Sequence, residues 1–161
     1  MNYLCIIQAR LTSTRLPNKV MQMVGDRTML RRVWDAAKGC TDINKVVVAW
    51  PERYPDLDDN NVLERFRRVS LEFPSKYIIR LTSDCPLITS SDIYKAIVSH
   101  SHKDYYSNNY DGHDVQICTF DFLHQNFGTH KEHVFNDFST RSTGLSVNTK
   151  EDLERVRFLA K

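Results

Sequence analysis

The chain has 161 residues, the size of one domain, and its composition (41% hydrophobic, 26% charged) is ordinary for a globular protein. No apolar run approaches the ~20 residues of a membrane-spanning helix, and the N-terminus lacks the pattern of a secretory signal. We therefore expect a cytoplasmic protein with no membrane partner. The four cysteines form no CxxC pair, which argues for reduced thiols and against structural zinc.

The net charge of +2 conceals a basic N-terminal quarter. Among residues 1–40, seven Lys and Arg side chains face only Asp26 and Asp35, and the remainder of the chain is net acidic. Positive charge that is confined to one part of the chain suits a small anionic ligand. Nucleic acid needs a longer basic stripe, and the pI of 8.3 is below the range typical of such proteins, so we expect no nucleic-acid partner.

Apolar segments typical of strands recur along the chain. Their bounds are Tyr3–Ile7, Lys45–Ala49, Tyr77–Leu81, Asp114–Cys118 and Leu145–Val147. Helical periodicity occupies the intervals between most of them. Strands that alternate with helices predict an α/β fold, a single domain with a mostly parallel sheet and helices on both faces.

Capping residues mark the predicted helices. The first helix, over residues 29–37, is expected to end at Gly39, and the second to begin after Asn60 or Asn61 and stop before Pro74. Ser90 or Ser91 is expected to cap the third helix. Thr149, followed three residues later by Asp152, has the spacing of a capping box for the last helix.

A basic loop directly after the first strand is the most informative feature of the sequence. The carboxyl end of a first strand is where open α/β sheets bind phosphates, and guanidinium groups can grip phosphate oxygens in a bidentate way. The residues alone leave two interpretations open, a triphosphate-binding loop and a solvated basic loop. The polar side chains of the loop are Arg10, Thr12, Ser13, Thr14, Arg15 and Lys19.

The same loop, QARLTSTRLPNK over residues 8–19, resembles the QARxxSTRLPGK motif of the cytidylyltransferases that make CMP-activated sugar acids. These include the CMP-KDO and CMP-sialic acid synthetases and the spore coat polysaccharide protein F-like branch. Further matching segments follow in order and span nearly the whole chain. They are NVLERF (61–66), RLTSDCPLI (80–88), YYSN (105–108), DGHDV (111–115), KEHV (131–134) and NTKEDLERV (148–156).

This resemblance implies a trimmed nucleotide-diphospho-sugar transferase fold, Rossmann-like and of the GT-A type, with one nucleotidyltransferase domain over residues 1–161. It implies transfer of CMP from CTP, or of a nucleotide from another nucleoside triphosphate, to a sugar acid acceptor with release of pyrophosphate. The expected cofactor is Mg²⁺ (or Mn²⁺). The family tends to form homodimers, and a partner subunit could cover a trimmed sheet edge, so a homodimer is expected.

The resemblance also assigns site residues. Catalytic roles go to Arg10, Arg15 and Lys19, and nucleotide binding to these three together with Gln8, Ala9, Ser13, Thr14 and Ser83. Metal ligation goes to Asp84 and Asn148, and acceptor binding to Asp111, Asp114, Gln116, Glu132 and His133. The alternative for Asp84 is a purely structural role as the cap of the next helix.

Two substitutions and a shortened chain favour a second interpretation. Asn148 stands where the family has a metal-binding Asp, and Gln116 where it has an acidic residue. Asn18 also stands where the family has Gly, a change that the turn should tolerate. Asp111 or Asp114 could supply the missing metal-binding carboxylate, and Asn can adopt the left-handed backbone of Gly. The chain is also short between residues 50 and 60, around 109, and between 121 and 144. A catalytically weak or inactive relative that binds a nucleotide or a partner subunit is therefore the alternative hypothesis.

Overall fold

The computed structural model describes residues 2–58, 61–108, 110–125 and 145–161. Two short 3₁₀ helices, Lys19–Met21 and Pro51–Arg53, occur in loops. The strands are β1 (Tyr3–Gln8), β2 (Met23–Val24), β3 (Arg27–Thr28), β4 (Ile43–Ala49), β5 (Tyr77–Thr82), β6 (Tyr105–Ser107) and β7 (Gln116–Thr119). The α-helices are α1 (Met29–Lys38), α2 (Val62–Glu72), α3 (Ser90–His100), α4 (Phe120–Gln125) and α5 (Lys150–Leu159).

Five strands form one sheet in the order β4-β1-β5-β7-β6. The central strand β1 is parallel to both of its neighbours, β4 and β5. The strand β7 runs antiparallel to β5 and to β6, so the sheet is mixed but mostly parallel, as predicted. The strands β2 and β3 form a separate two-stranded hairpin between β1 and α1.

Side-chain alternation along β1 explains why helices cover both faces of the sheet. Cys5 and Ile7 are fully buried in a core that includes residues of α1 and α3. Leu4 and Ile6 point to the opposite face, into a core with residues of α2 and α4. Because both faces of β1 are apolar, the strand reads as a continuous hydrophobic run, which is typical of a parallel sheet buried on both sides.

The helix caps correct one sequence prediction and confirm three. Gly39 ends α1 as expected. Asn61 caps α2 by accepting a hydrogen bond from Glu64 N. For α3, the prediction of Ser90 or Ser91 was wrong, because Thr89 and Asp92 form a reciprocal capping box that places the cap one residue earlier. The predicted box of Thr149 and Asp152 is present at the start of α5.

The segment Leu145–Val147, predicted as a strand, is a loop. Val147 N donates a single backbone hydrogen bond to Asp84 O (2.8 Å) instead of entering a ladder. Its side chain is buried with Val24, Leu153 and Val156 in a small third core that packs α5 near β2, and this burial explains the apolar pattern. Within the described residues, no helix is long and apolar enough to cross a membrane.

Candidate active site

The basic loop leaves the sheet after Gln8 and ends at Lys19, where a short 3₁₀ helix begins. Asn18 has φ +50°, in the left-handed region that Gly adopts most readily, so the turn accommodates Asn at this position. Asn18 O accepts from Met21 N (2.9 Å), and the fully buried Val20 anchors the turn. These contacts fix the backbone from which the Lys19 side chain extends.

Lys19, Asp84 and Asn148 meet at the carboxyl edge of the sheet. Lys19 Nζ lies 3.2 Å from Asp84 Oδ2 and 3.5 Å from Asn148 Oδ1. Asp84 follows β5, and β5 is the parallel neighbour of β1, so the two strands deliver the loop and the carboxylate to the same edge. The side chains of Lys19 and Asp84 are 13% and 30% exposed, which leaves the pair open on one side. Asp84 does not cap α3, so the structural alternative for this residue was wrong.

The electrostatics of Asp84 reflect two opposed effects. Burial alone would raise the pKa of its carboxyl group, but the positive charge of Lys19 and hydrogen bonds from Thr82 and Lys19 outweigh that effect. The net result is a pKa below the ordinary value. Asp84 is therefore ionised near neutral pH, as a carboxylate that holds a metal ion must be.

Asp114 belongs to the same edge but has the opposite perturbation. Its Oδ2 lies 3.6 Å from Cys85 Sγ, and the same sulfur lies 3.7 Å from Asp84 Oδ1, so the thiol stands between the two carboxylates. Burial, and then the charges of Asp111 and Asp84, raise the pKa of Asp114 to about 6. The Cys85 thiol is itself buried and its pKa is raised well above the ordinary value, so it stays protonated and acts as a donor.

Asp111 connects the acceptor side of the edge to Asn148. Ser146 Oγ donates to Asp111 Oδ1, and Asn148 Nδ2 donates to Ser146 Oγ (3.4 Å). Together with the contact between Asn148 and Lys19, these bonds form a continuous polar path from the basic loop to the DGHD segment. Lys19, Asn148 and Asp111, predicted to bind phosphate, metal and acceptor respectively, thus lie along one path.

The turn that carries Asp111 and Asp114 is clamped on both sides. His113 Nδ1 pairs with Asp92 Oδ2 at the start of α3 (2.9 Å). On the other side, Gly112 has φ +81°, and a Cβ at this position would lie 2.2 Å from Leu145 Cβ. Glycine is therefore required for the turn to approach the segment that holds Ser146 and Asn148.

The remaining predicted residues occupy varied positions. Arg10, Thr14 and Arg15 are exposed in the basic loop. Ser13 Oγ accepts from Leu16 N (3.3 Å), which shapes that loop. Ala9 and Ser83 are buried where β1 and β5 end, and Ser83 N donates to Gln8 O (3.0 Å). Glu132 and His133 lie outside the described residues.

Gln8 and Gln116, predicted to bind nucleotide and acceptor, both contact Arg80. Arg80 Nη2 donates to Gln8 Oε1 (2.6 Å) and Nη1 to Gln116 Oε1 (2.8 Å), across three neighbouring strands. Arg80 and Gln116 are almost completely buried, and burial lowers the pKa of Arg80 to about 10. This polar row ties β1, β5 and β7 together close to the edge that holds Asp84.

Sequence reasoning missed Arg80, Cys85 and Ser146. Arg80 carried a signal, because it is a charged residue in the otherwise apolar strand YIIRL. Cys85 lies in the segment RLTSDCPLI, but a cysteine in such a segment usually has a structural role and so gave no signal. The pairing of Ser146 with Asp111 joins loops that are distant in sequence.

The donor set at the edge fits Mg²⁺ in a limited way. Asp84 Oδ2 and Asn148 Oδ1 are hard oxygen atoms that converge on the same ammonium group. Mg²⁺ keeps several waters and uses only one or two protein carboxylates, so Asp84 and Asn148 are the residues that would hold it. In the described ranges, no group of three or more His, Cys, Asp or Glu side chains is arranged to hold a metal ion.

An open cleft of about 790 Å³ lies at the other end of the sheet. It is lined by Lys76, Tyr77, His102, Asp104 and other residues near the start of β5 and the end of β7. None of the residues predicted to bind nucleotide, metal or acceptor lines it. The chemistry predicted from the sequence is therefore concentrated at the carboxyl edge.

Comparisons with known proteins show what the chain resembles. Residues 4–51, which include β1, the basic loop and β4 up to its end, match the cytidylyltransferase family model. The resemblance to cytidylyltransferases is confirmed. Residues 4–51 include Lys19 but neither Asp84 nor Asn148, so the metal-binding roles of those two residues stay predictions.

Three curated relatives extend the likeness. An uncharacterised protein of Methanocaldococcus jannaschii is 29% identical over 157 residues (82% of this chain, 63% of that protein). The spore coat polysaccharide biosynthesis protein SpsF of Bacillus subtilis is 31% identical over 117 residues (60% and 49%). A 3-deoxy-manno-octulosonate cytidylyltransferase of Koribacter versatilis is 48% identical over 46 residues (29% and 18%). This chain thus spans less than two thirds of the length of each.

The fold is shared with solved cytidylyltransferase structures. A cytidylyltransferase from Leptospira borgpetersenii superimposes with a TM-score of 0.77 at 21% identity, covering 96% of this chain and 84% of that one. The mixed, mostly parallel sheet with helices is thus the Rossmann-like fold of nucleotidyltransferases.

Proposed function

We propose that this chain is a Mg²⁺-dependent cytidylyltransferase that transfers CMP from CTP to a sugar acid and releases pyrophosphate. The observation that carries the proposal is the convergence of Lys19, Asp84 and Asn148 at the end of β1 and β5. A cation next to an ionised carboxylate, beneath a loop with two more arginines, matches the needs of a triphosphate that binds with a metal ion.

In the proposed reaction, a hydroxyl oxygen of the acceptor attacks the α-phosphorus of CTP, and pyrophosphate leaves. Lys19, with Arg10 and Arg15, would bind the phosphates and offset the negative charge of the transition state. Asp84 and Asn148 would hold Mg²⁺, which when bound neutralises phosphate charge. Asp111 and Asp114 would face the acceptor. Position and charge therefore account for most of the catalysis that we propose.

Replacement of two cations tests this proposal. The double variant Arg15→Ala, Lys19→Ala should lose at least ~10³-fold in turnover of CTP and 3-deoxy-manno-octulosonate, measured as pyrophosphate release, while its circular dichroism stays native. The matched control is Lys95→Ala, Lys103→Ala, which removes two cations from the region of α3, outside the predicted site. Full activity of the Arg15, Lys19 variant would exclude the assignment.

The alternative function is that of a nucleotide-binding relative without turnover, and one observation favours it. Asn148 brings an amide oxygen to Lys19 where the family pattern has a carboxylate, so the edge holds one negative charge fewer for a metal ion. Asn148→Asp restores that charge. Pyrophosphate release that appears only in this variant would identify the natural chain as a binder. Release by the natural chain would support the enzyme.

Binding experiments without turnover test which nucleotide base the chain prefers. Each of the four nucleoside triphosphates is added with and without Mg²⁺, and the melting temperature is recorded. Stabilisation grows with the excess of ligand over its dissociation constant, so the preferred base gives the largest shift. We expect CTP to stand out and the shift to depend on Mg²⁺. A homodimer, expected from the resemblance, is tested by the molar mass of the same samples in solution.

A further inference from the structure

Three polar side chains cross the carboxyl edge of the sheet on the face that packs against α2 and α4. Gln8 ends β1, Arg80 lies near the end of β5, and Gln116 begins β7. Arg80 and Gln116 are register partners in the ladder between β5 and β7, so their side chains point to the same face. Further from the edge, this face is apolar and belongs to the core beneath α2 and α4, with Leu4, Ile78 and Cys118.

Arg80 fixes the direction in which both amide groups face. Its Nε and Nη2 donate to Gln8 Oε1 (3.1 and 2.6 Å), and its Nη1 donates to Gln116 Oε1 (2.8 Å). A guanidinium group only donates hydrogen bonds, so each amide must turn its oxygen toward Arg80 and its NH₂ group away. One buried residue therefore sets the orientation of two side chains on the strands beside it.

The NH₂ group of Gln116 is the observation that points to a ligand. Gln116 is 1% exposed, and no acceptor among the described residues lies within hydrogen-bonding distance of its Nε2. A buried donor without an acceptor costs free energy, so stability of the fold does not explain an amide at this position. An oxygen atom of a bound substrate would satisfy the donor.

We propose that Arg80 is a positioning residue that orients the amides of Gln8 and Gln116 as donors to the two substrates. The inference rests on the proposed function and adds a residue that acts through two others. Gln8 is where the chain enters the basic loop, so its NH₂ group donates to an oxygen of the nucleotide. Gln116 follows Asp114 by two residues, on the acceptor side, so its NH₂ group donates to a carboxylate oxygen of the sugar acid. Hydrogen bonds to charged oxygens are the stronger ones.

Both glutamines are held in place by their backbones as well. Ser83 N donates to Gln8 O (3.0 Å), which fixes the entry to the basic loop against the end of β5. Gln116 pairs with Arg80 in one ladder and with Ser107 of β6 in the other. An amide on a fixed backbone cannot turn over without losing its bond to Arg80. Donors that are preorganised in this way lose little entropy when a substrate binds.

Two substitutions of Gln8 separate positioning from a purely structural tie between strands. Gln8→Glu keeps an oxygen that accepts from Arg80 but lacks the NH₂ group, and Gln8→Met lacks both and adds no charge. Calorimetric titration with CTP and Mg²⁺ should give a dissociation constant raised about 10- to 100-fold in both variants. The melting temperature of Gln8→Glu should not fall below that of the natural chain. A structural tie predicts instead that Gln8→Glu keeps the natural affinity for CTP.

Variants of the other two residues test the acceptor side. Gln116→Glu should raise the KM for 3-deoxy-manno-octulosonate about 10-fold and leave the dissociation constant of CTP unchanged. Arg80→Met releases both amides and should weaken the binding of both substrates. Arg80→Lys keeps the charge without the planar fork and should recover only part of each affinity. The matched control is Gln125→Glu at the exposed end of α4, which should behave as the natural chain does.

The outcomes separate this inference from the proposed function. Natural affinity for CTP in Gln8→Glu or in Gln8→Met would overturn the inference, and so would a natural KM for the acceptor in Gln116→Glu. A natural chain that binds CTP but transfers nothing would contradict the transfer reaction, and the Gln8 variants would still decide the role of Arg80. A natural chain that binds no CTP would contradict both.

Discussion

The two ends of the sheet collect polar groups in different ways. At the carboxyl edge, the titratable side chains of Lys19, Asp84 and Asp114 are partly exposed. Each contacts atoms of a segment that is distant in sequence. At the amino edge, Tyr77 stacks on Tyr3 (5.1 Å between ring centroids), and the buried His100 packs edge-on against it (5.0 Å). The aromatic and polar groups of the amino edge therefore contribute to packing. The carboxyl edge holds charged groups that packing does not require.

This contrast has an energetic side. Burial lowers the pKa of His100, so the amino edge keeps this residue neutral and satisfies its Nε2 with Lys103 O. At the carboxyl edge, burial raises the pKa of Asp114, yet the structure keeps a second and a third aspartate beside it. Residues whose charges oppose folding are characteristic of functional sites, because activity and not stability retains them.

The largest effect on stability is expected from a substitution in the clamped turn of the carboxyl edge, which carries Asp111 and Asp114. Gly112→Ala should destabilise the protein by at least about 2 kcal/mol, because a Cβ both forces a left-handed alanine and collides with Leu145. Gly25→Ala is the matched control. Its φ is +65°, but the nearest atom to the new Cβ is a side-chain nitrogen at 3.5 Å, so the cost should be about 1 kcal/mol.

Urea unfolding of both glycine variants measures the difference. Equal costs at the two positions would contradict the view that the contact with Leu145, rather than backbone strain alone, holds the turn in place.

A smaller effect sharpens the comparison of the two aspartates. The folded pKa of Asp114 is about 6 against an ordinary 3.8, so its ionised form opposes folding above pH 6. Asp114→Asn should therefore raise the melting temperature at pH 8, and this gain should fade as the pH approaches 4. Asp84 has the opposite shift and stabilises the fold above its ordinary pKa. Asp84→Asn should accordingly lower the melting temperature at pH 8.

Thermal unfolding of the natural chain and both variants at pH 4, 6 and 8 provides the readout. Melting temperatures that move in the same direction for the two variants at pH 8 would be inconsistent with opposed environments.

The smallest effect concerns the amino edge. The folded pKa of His100 lies below its ordinary 6.5, so its contribution to stability is complete above pH 6.5 and declines as the pH falls below it. His100→Phe should lower stability at pH 8 by about 1 kcal/mol through loss of the hydrogen bond to Lys103 O. Its stability should then fall less steeply than that of the natural chain between pH 7 and 5. If stability fell equally steeply with pH in the two proteins between pH 7 and 5, the lowered pKa of His100 would be contradicted.

Much of the fold could be predicted from local patterns. The apolar runs of β1 and β5 are strong signals because both faces are buried, and the capping box of α5 has a fixed spacing. The same spacing, Thr89 to Asp92, was available for α3 and would have corrected the cap. The direction of β7 could not be predicted, because side-chain alternation with period two is the same in parallel and antiparallel strands.

The candidate site was predictable to the extent that strand ends determine it. The meeting of Lys19 with Asp84 follows from loops that leave two parallel strands at one edge. The contacts of Arg80 with Gln8 and Gln116 were not predictable, because they depend on which strands are neighbours. The position of the Cys85 thiol between Asp84 and Asp114 was not predictable for the same reason. Such contacts depend on tertiary packing and leave no periodic signal in the sequence.

The bond from Val147 N to Asp84 O has a consequence for how the protein is made. Ser146 and Asn148 flank this bond and come from the last seventeen residues of the described chain, residues 145–161. During synthesis, the strands β1 and β5 emerge from the ribosome long before these residues do. A nascent chain can therefore pair its central strands early, but Lys19 and Asp111 acquire their partners Asn148 and Ser146 only after translation has passed residue 148.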